Sequence, residues 1–297
     1  MQLNSYVRLV SKQYKERNTH SFVKSMTKDM EIICVGNELL IGKTLNTNAQ
    51  WMAKQATARG INVKRVTVVA DEIAEIATAI QETLERKPHF ALTTGGLGPT
   101  FDDKTLQGIA EALNRKLTVN TKALKMVKEK YEAYAKEKGA TETVELTQSR
   151  IKMATLPEKA EPVSNPVGTA PGVRVDLKQT VLIALPGVPS EMKAIFHETV
   201  APLLRQASGR TGFYEKSIYV DEVMESSLAP LIDKAMQDNP DVYVKSHPKG
   251  EENKPHIEIH LSTTAEDAER AEEKLQQAAT QLSDAVRKIG GKIVVFE

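Results

Sequence analysis

Short apolar runs alternate with helical patterns along the first part of the chain. Ile32-Ile33-Cys34-Val35 is continuously apolar and stops at Gly36, which predicts a buried parallel strand. Residues 46–60 read as a helix, with Asn46, Thr47 or Asn48 as its cap and Gly60 as its stop. Residues 63–69 are rich in β-branched side chains and predict a second strand, ending before Asp71. A helix follows over about residues 73–86, with Ile73, Ile76, Ala77 and Ile80 on one face. Residues 89–94 predict a third strand. It runs into Gly95-Gly96-Leu97-Gly98-Pro99-Thr100-Phe101-Asp102-Asp103, and a helical pattern at Leu106, Ile109, Ala110 and Leu113 leads out. Strands alternating with helices predict a mostly parallel α/β sheet. Ligands of such sheets lie beyond the carboxyl ends of the strands, where Glu38, Asp71, Asp102 and Asp103 all fall.

The glycines after the third strand let the backbone turn sharply and leave N–H groups bare, a setting that suits a phosphate or another anion. Two adjacent carboxylates in the same stretch would repel that anion unless protons or a metal ion lay between. The stretch therefore reads either as an anion site with a cation bridge or as a loop in which Asp102 or Asp103 caps the following helix. A Walker-type loop is excluded at Gly36: five residues, not four, separate it from Gly42-Lys43-Thr44, and Leu39-Leu40-Ile41 is too bulky to wrap a phosphate.

Further on, residues 121–138 form a strongly charged helical pattern with a solvated face, and residues 143–151 predict a short helix. Asn165-Pro166-Val167-Gly168-Thr169-Ala170-Pro171-Gly172 precedes a strand over residues 181–185. That strand enters Pro186-Gly187-Val188-Pro189-Ser190-Glu191-Met192 and a helix to about residue 207. This second strand–turn–helix reads either as another place for an anion or as an ordinary turn with Pro189 at the first helical position. Residues 208–212 read as a linker. Beyond it, strands at 217–220, 242–246, 256–262 and 293–296 and helices at 226–236 and 265–288 predict βαββαβ, a ferredoxin-like or KH-type α+β layout. His247, His256 and His260 read as polar positions on a solvent face rather than metal ligands. A Gly-x-x-Gly turn is missing and aromatic residues are few, so nucleic acid is not an expected partner.

Composition adds limits. The 297 residues are 40% apolar and 27% charged with a net charge of +1, which fits a globular protein and gives no bulk attraction to nucleic acid or membrane. Cys34 is the single cysteine, so no disulfide forms within the chain and a cytoplasmic setting is expected. Residues 1–28 stand apart: Arg8, Lys12, Lys15, Arg17, Lys24 and Lys28 face only Glu16. They read as a basic, poorly ordered extension, a transit-like segment or a product of start-site choice.

Four ordered motifs carry a family resemblance: Gly36-Asn37-Glu38-Leu39-Leu40 with Asn46-Thr47-Asn48, the Gly95–Thr100 loop with Asp102-Asp103, Asn165–Gly172, and Leu185–Met192. Together they resemble the amino-terminal part of CinA, the competence/damage-inducible protein family, within the wider MoaB/MogA molybdopterin-binding superfamily. The resemblance implies a three-layer α/β domain over residues 29–208, followed by a small domain over 213–297 similar in position to CinA's KH-type middle domain. Bacterial CinA usually continues into a nicotinamide-nucleotide amidase domain; the chain ends at Glu297, so that activity is not expected.

The family implies a metal-dependent nucleotide-diphosphate hydrolase, of ADP-ribose pyrophosphatase type and releasing AMP; the alternative is a molybdopterin-binding or molybdopterin-adenylating protein. Asp103 takes the place of the superfamily's pterin-site aspartate, and Asp71 matches an acidic residue after the second strand. The implied catalytic residues are Asp102, Asp103 and Asp71. Nucleotide or phosphate would be bound by Thr94, Gly95, Gly96, Gly98, Pro99, Thr100, Asn48, Gly168, Thr169, Gly187 and Ser190. Asp102, Asp103 and Glu38 would hold a divalent ion (Mg²⁺, Mn²⁺ or Co²⁺), with K⁺ as a possible companion. The expected partner is a small nucleotide or pterin, and the chain is expected to form a homo-oligomer, a dimer in the favoured case. Phe101 departs from many relatives, which carry a polar residue there.

Overall fold

The computed structural model describes residues 28–137, 145–209, 212–249 and 256–294. The basic extension before Lys28, the start of the helix expected at 143, part of the 208–212 linker, the turn beyond Lys249 and residues 295–296 lie outside the described residues. The chain divides into two compact units, one spanning Lys28–Gly209 and the other including the residues that follow.

In the first unit β1 (Asp29–Val35), β2 (Asn62–Val69), β3 (Phe90–Thr94) and β8 (Val181–Leu185) are mutually parallel neighbours. Two strands that the local pattern did not announce complete the sheet: β7 (Gly172–Asp176) runs antiparallel to β8, and β6 (Glu161–Val163) antiparallel to β7. The order is β2-β1-β3-β8-β7-β6. A separate two-stranded ribbon joins β4 (Leu117–Val119) to β5 (Thr155–Pro157).

The alternation along each central strand builds the two outer layers. From β1, Ile33 and Val35 enter one core cluster while Met30, Ile32 and Cys34 enter the other, because successive strand side chains point to opposite faces. Leu182 and Ala184 of β8 join the first cluster, Ile183 and Leu185 the second. Helices α3 (Ile73–Glu85), α4 (Thr105–Ala112) and α5 (Thr121–Glu137) supply Ile76, Ile80, Ile109 and Val127 to the first. Helix α2 (Thr47–Thr57) and the helical run from Pro189 to Ser208 cover the second with Met52, Met192, Phe196 and Leu204. That run contains a π-helical turn at Phe196–Val200. Pro202, just beyond it, lacks the N–H that an unbroken α ladder requires.

At the amino ends of the strands, away from the expected ligand side, Glu31 is buried and takes a forked ion pair from Arg86 (Nε to Oε1 2.8 Å, Nη2 to Oε2 2.7 Å). Removing Arg86 would cost about 3 kcal/mol, because the Glu31 charge stays buried; Arg86 itself is exposed.

The second unit contains β9 (Gly212–Asp221), α9 (Glu225–Asp238), β10 (Tyr243–Pro248), β11 (His256–Ala265), α10 (Ala268–Lys288) and β12 (Lys292–Val294). The sheet order is β10-β11-β9-β12, antiparallel throughout, which is the expected split-βαβ layout. β9 starts earlier than its pattern suggested, because Phe213 and Tyr214 pair with Thr264 and Thr263. His256 lies 2.6 Å from Asp221 and His260 3.2 Å from Glu215, as cross-strand hydrogen-bonding partners. No helix among the described residues is long and apolar enough to cross a membrane.

Candidate functional site

The carboxyl ends of β1, β3 and β8 open onto a cavity of about 450 Å³, within the usual range for a small-molecule site. Its floor is a crowded crossing of backbones. Gly95 has φ +107°, and a Cβ there would sit 2.1 Å from the Val35 carbonyl oxygen. Its N–H donates to Leu185 O at 3.1 Å, and its carbonyl accepts from the Thr105 hydroxyl at 2.8 Å. Gly95 therefore welds three strand ends together, and its N–H is not free for an anion as the sequence suggested. The N–H groups of Gly96, Leu97 and Gly98 donate to no protein group among the described residues. These form the nest.

A second weld uses side chains. Asn48 donates to Thr94 Oγ1 at 3.1 Å and to Gly187 O at 2.8 Å, and Thr94 donates to Pro186 O at 2.9 Å. Thr94 and Asn48 thus hold the Pro186-Gly187 turn against the glycine loop. The Asn48 carbonyl oxygen is buried without a hydrogen-bond partner.

Neither Asp102 nor Asp103 caps the helix. α4 starts at Thr105, and its N-cap, Lys104, makes no side-chain cap. The two acids close their own loop instead. Asp103 Oδ2 accepts from the Thr100 N–H at 2.8 Å and from the Thr100 hydroxyl at 2.6 Å, while Asp102 Oδ1 lies 2.5 Å from the same hydroxyl. The Thr100 hydroxyl, followed by the backbone at Asp102, holds the Asp102 carboxyl below the usual carboxylate range. From behind, the Lys152 ammonium donates to the Thr100 carbonyl. Burial pushes Lys152 down, against the opposing pull of Asp103 and Asp102.

Asp71 also has a protein partner: its Oδ2 accepts from the Asn37 N–H at 2.7 Å. Glu38 folds back over Gly36, where a Cβ would lie 2.5 Å from Glu38 Oε1. Glu38, Asp102 and Asp103 line one cavity, yet among the described residues no group of three or more His, Cys, Asp or Glu is close enough to hold a metal ion. Three other expected residues lie off the lining of this cavity. Thr100 is exposed and serves the loop rather than the cavity wall. Ser190 is exposed and off the wall. Gly168 lies behind the wall, while Thr169 is on it.

The residue that sequence reasoning missed is Glu191. It lines the cavity from the first turn of the helix starting at Pro189. Asn165, itself buried, donates Nδ2 to Glu191 Oε2 at 2.7 Å. A Cβ at Gly168 would fall 2.0 Å from the same oxygen. Local periodicity carries no sign of this, because Asn165 and Gly168 are more than twenty residues away in the chain. Among the described residues the completed wall holds Glu38, Asp71, Asp102, Asp103 and Glu191, and no Lys, Arg or His.

A model of the probable molybdopterin-binding domain family matches residues 31–206, which contain every one of these wall residues. The chain belongs to this family. Similar proteins extend over nearly all of its length: one from Metallosphaera sedula is 41% identical over 264 residues (89% of this chain, 96% of that protein). Another from Aeropyrum pernix is 44% identical over 263 residues (88% of this chain, 95% of that protein). Among solved structures, the CinA protein of Thermoplasma acidophilum, described as of unknown function, is 39% identical. It covers 60% of this chain and 98% of its own, with a TM-score of 0.53. The resemblance to CinA read from the four motifs therefore holds.

Proposed function

We propose that the cavity binds a phosphorylated pterin of the molybdopterin class. The observation that carries this reading is the wall itself: five carboxylates, no cation, and three unpaired N–H groups at one end. Such a wall suits a ligand with one compact anionic group for the Gly96–Gly98 nest and a heterocycle rich in N–H donors for the carboxylates. A phosphorylated pterin has both. The family match over residues 31–206 supports the same class.

The carboxylates around the nest also bear on a divalent ion. With no three-carboxylate group among the described residues, the site does not fit an all-protein cage. It does fit an Mg²⁺-like ion, which is commonly held by one or two carboxylates, phosphate oxygens and water. Asp102 and Asp103 would be those carboxylates. The ion would neutralise the phosphate beside them.

A second reading is favoured by one feature, the pair formed by exposed Asp102 and half-buried Asp103 at the lip next to the nest. It is a metal-dependent hydrolase of ADP-ribose pyrophosphatase type. Water adds to one phosphorus, the bridging P–O bond breaks, and AMP and a sugar phosphate leave. The test incubates the purified chain with molybdopterin, ADP-ribose, FAD and NADH separately. Mg²⁺, Mn²⁺ and Co²⁺ are each tried, with and without K⁺, and binding is read by calorimetry and products by chromatography. Saturable pterin binding, weakened at least tenfold in Asp103→Asn and without AMP release, is the expected result. AMP formed only with metal and lost in Asp103→Asn would put the second reading in its place. Neither binding nor turnover would remove both.

A further inference from the structure

Resting on the pterin reading, we infer that Glu191 is the residue that selects the heterocycle, by accepting the paired N–H donors of a 2-amino-4-oxopyrimidine edge. Three observations lead there. Glu191 stands on the cavity wall, and among the described residues its Oε1 accepts no hydrogen bond. Its other oxygen is held by Asn165, whose Nδ2 also donates to Ala170 O at 2.8 Å, so one buried amide ties the carboxylate to the loop carrying Thr169 and Ala170. Gly168 has no Cβ where one would overlap both carboxylate oxygens, at 2.0 Å and 2.5 Å. The side chain is thus seated in a recess shaped for it and aimed by a buried amide.

A carboxylate has about four acceptor sites and no donor. Asn165 takes one, which leaves both oxygens able to accept. The partner of best geometry offers two parallel N–H groups, as an arginine fork does. A pterin or guanine ring presents that pair through N3–H or N1–H together with the exocyclic 2-amino group. Adenine has no edge with two adjacent N–H donors. The wall also holds Ala170, Val188 and Pro189, apolar surface for the face of a ring. Glu191 lies in the same cavity as the Gly96–Gly98 nest but on a different element, so one ligand can use both. The site therefore discriminates by ring edge, and adenine nucleotides are the poorly matched class.

A simple anchoring role predicts otherwise. If Glu191 only ties its helix to the 165–172 loop, ring selectivity will not depend on it. The experiment measures binding of 6-hydroxymethylpterin and 6-hydroxymethyllumazine, which differ in replacing the 2-amino group by an oxygen, and of GDP and IDP, which differ by the same amino group. Wild-type protein is expected to prefer the amino member of each pair by at least tenfold, because a site built around a donor leaves its own acceptor unpaired with the analogue. Glu191→Gln still accepts from Asn165 through its amide oxygen, and should bring both ratios to within about threefold of unity while thermal unfolding changes little. Equal binding of the paired compounds by wild-type protein overturns the inference and leaves pterin binding standing. So does a preference that Glu191→Gln retains. Absence of any pterin binding, with ADP-ribose bound, overturns the functional reading and this inference together. The wild-type comparison decides even if the variant fails to fold.

Discussion

Asp71 holds Asn37: the carboxylate at the end of β2 accepts the backbone N–H that opens the segment after β1, at 2.7 Å. The bond locks the two strand ends that flank the cavity. Asp71→Ala should lose about 0.5–1.5 kcal/mol of stability, the net worth of one such hydrogen bond. Asp71→Asn should lose less, because its amide oxygen can still accept. Ligand affinity should follow the same order. Denaturant midpoints and calorimetry on the two variants check this; an Asp71→Asn protein of unchanged stability but abolished binding would assign Asp71 to the ligand instead.

The backbone crossing at Gly95 should tolerate no side chain. Its positive φ and the 2.1 Å approach to Val35 O leave an added Cβ facing a backbone atom that cannot swing aside. Gly95→Ala is expected to cost on the order of 3 kcal/mol, combining conformational strain with overpacking. At Gly187 the added Cβ would lie 3.3 Å from Gly95 Cα, a tight but adjustable contact, and Gly187→Ala should cost about 1 kcal/mol or less. Urea titrations with unchanged m-values would establish the ranking.

His89 is a source of pH dependence in stability near neutral pH. Burial, helped by the nearby Lys28 charge and opposed by Asp29, lowers its pKa below the ordinary 6.5. Its Nδ1 accepts the Asp29 N–H at 3.3 Å, which requires the unprotonated nitrogen. A lowered base binds fewer protons folded than unfolded, so stability rises with pH in this window. The contribution should be fully present above about pH 6.5. It should decline as the pH falls through the ordinary value toward the folded one, and level off below that. Thermal melts of wild type and His89→Gln from pH 7.5 to 4.5 should diverge in that direction, wild type losing more on acidification.

Much of the central sheet was legible because its evidence is local. Ile32–Val35 is apolar on both sides, and a strand buried on both faces needs that. The four strand ends, the glycine loop and the split-βαβ layout followed from runs, turns and spacing. β6 and β7 did not, although Val173 and Val175 alternate with Arg174 in the buried–exposed pattern of a strand. A five-residue alternation is a weak signal beside the proline- and glycine-rich stretch that precedes it. The site was legible by element and less so by role. In the sequence Asp102 and Asp103 fit helix capping and an anion site alike, and the structure gives them a third task, closing a turn on Thr100. Ser190 and its neighbour Glu191 are indistinguishable in the sequence, because the chain alone does not say which residue of a helical turn faces a cavity.

By itself, the sequence determined where the backbone must bend and where apolar faces must be buried, since glycine freedom and hydrophobic spacing act over a few residues. Long-range pairing sets which N–H groups are left without a protein acceptor among the described residues: Gly95 loses its own to Leu185 across the sheet, while Gly96, Leu97 and Gly98 keep theirs. Only the tertiary structure likewise brought Asn165 and Gly168 against Glu191. These contacts join distant strand ends, and strand order, which no local pattern encodes, sets their geometry.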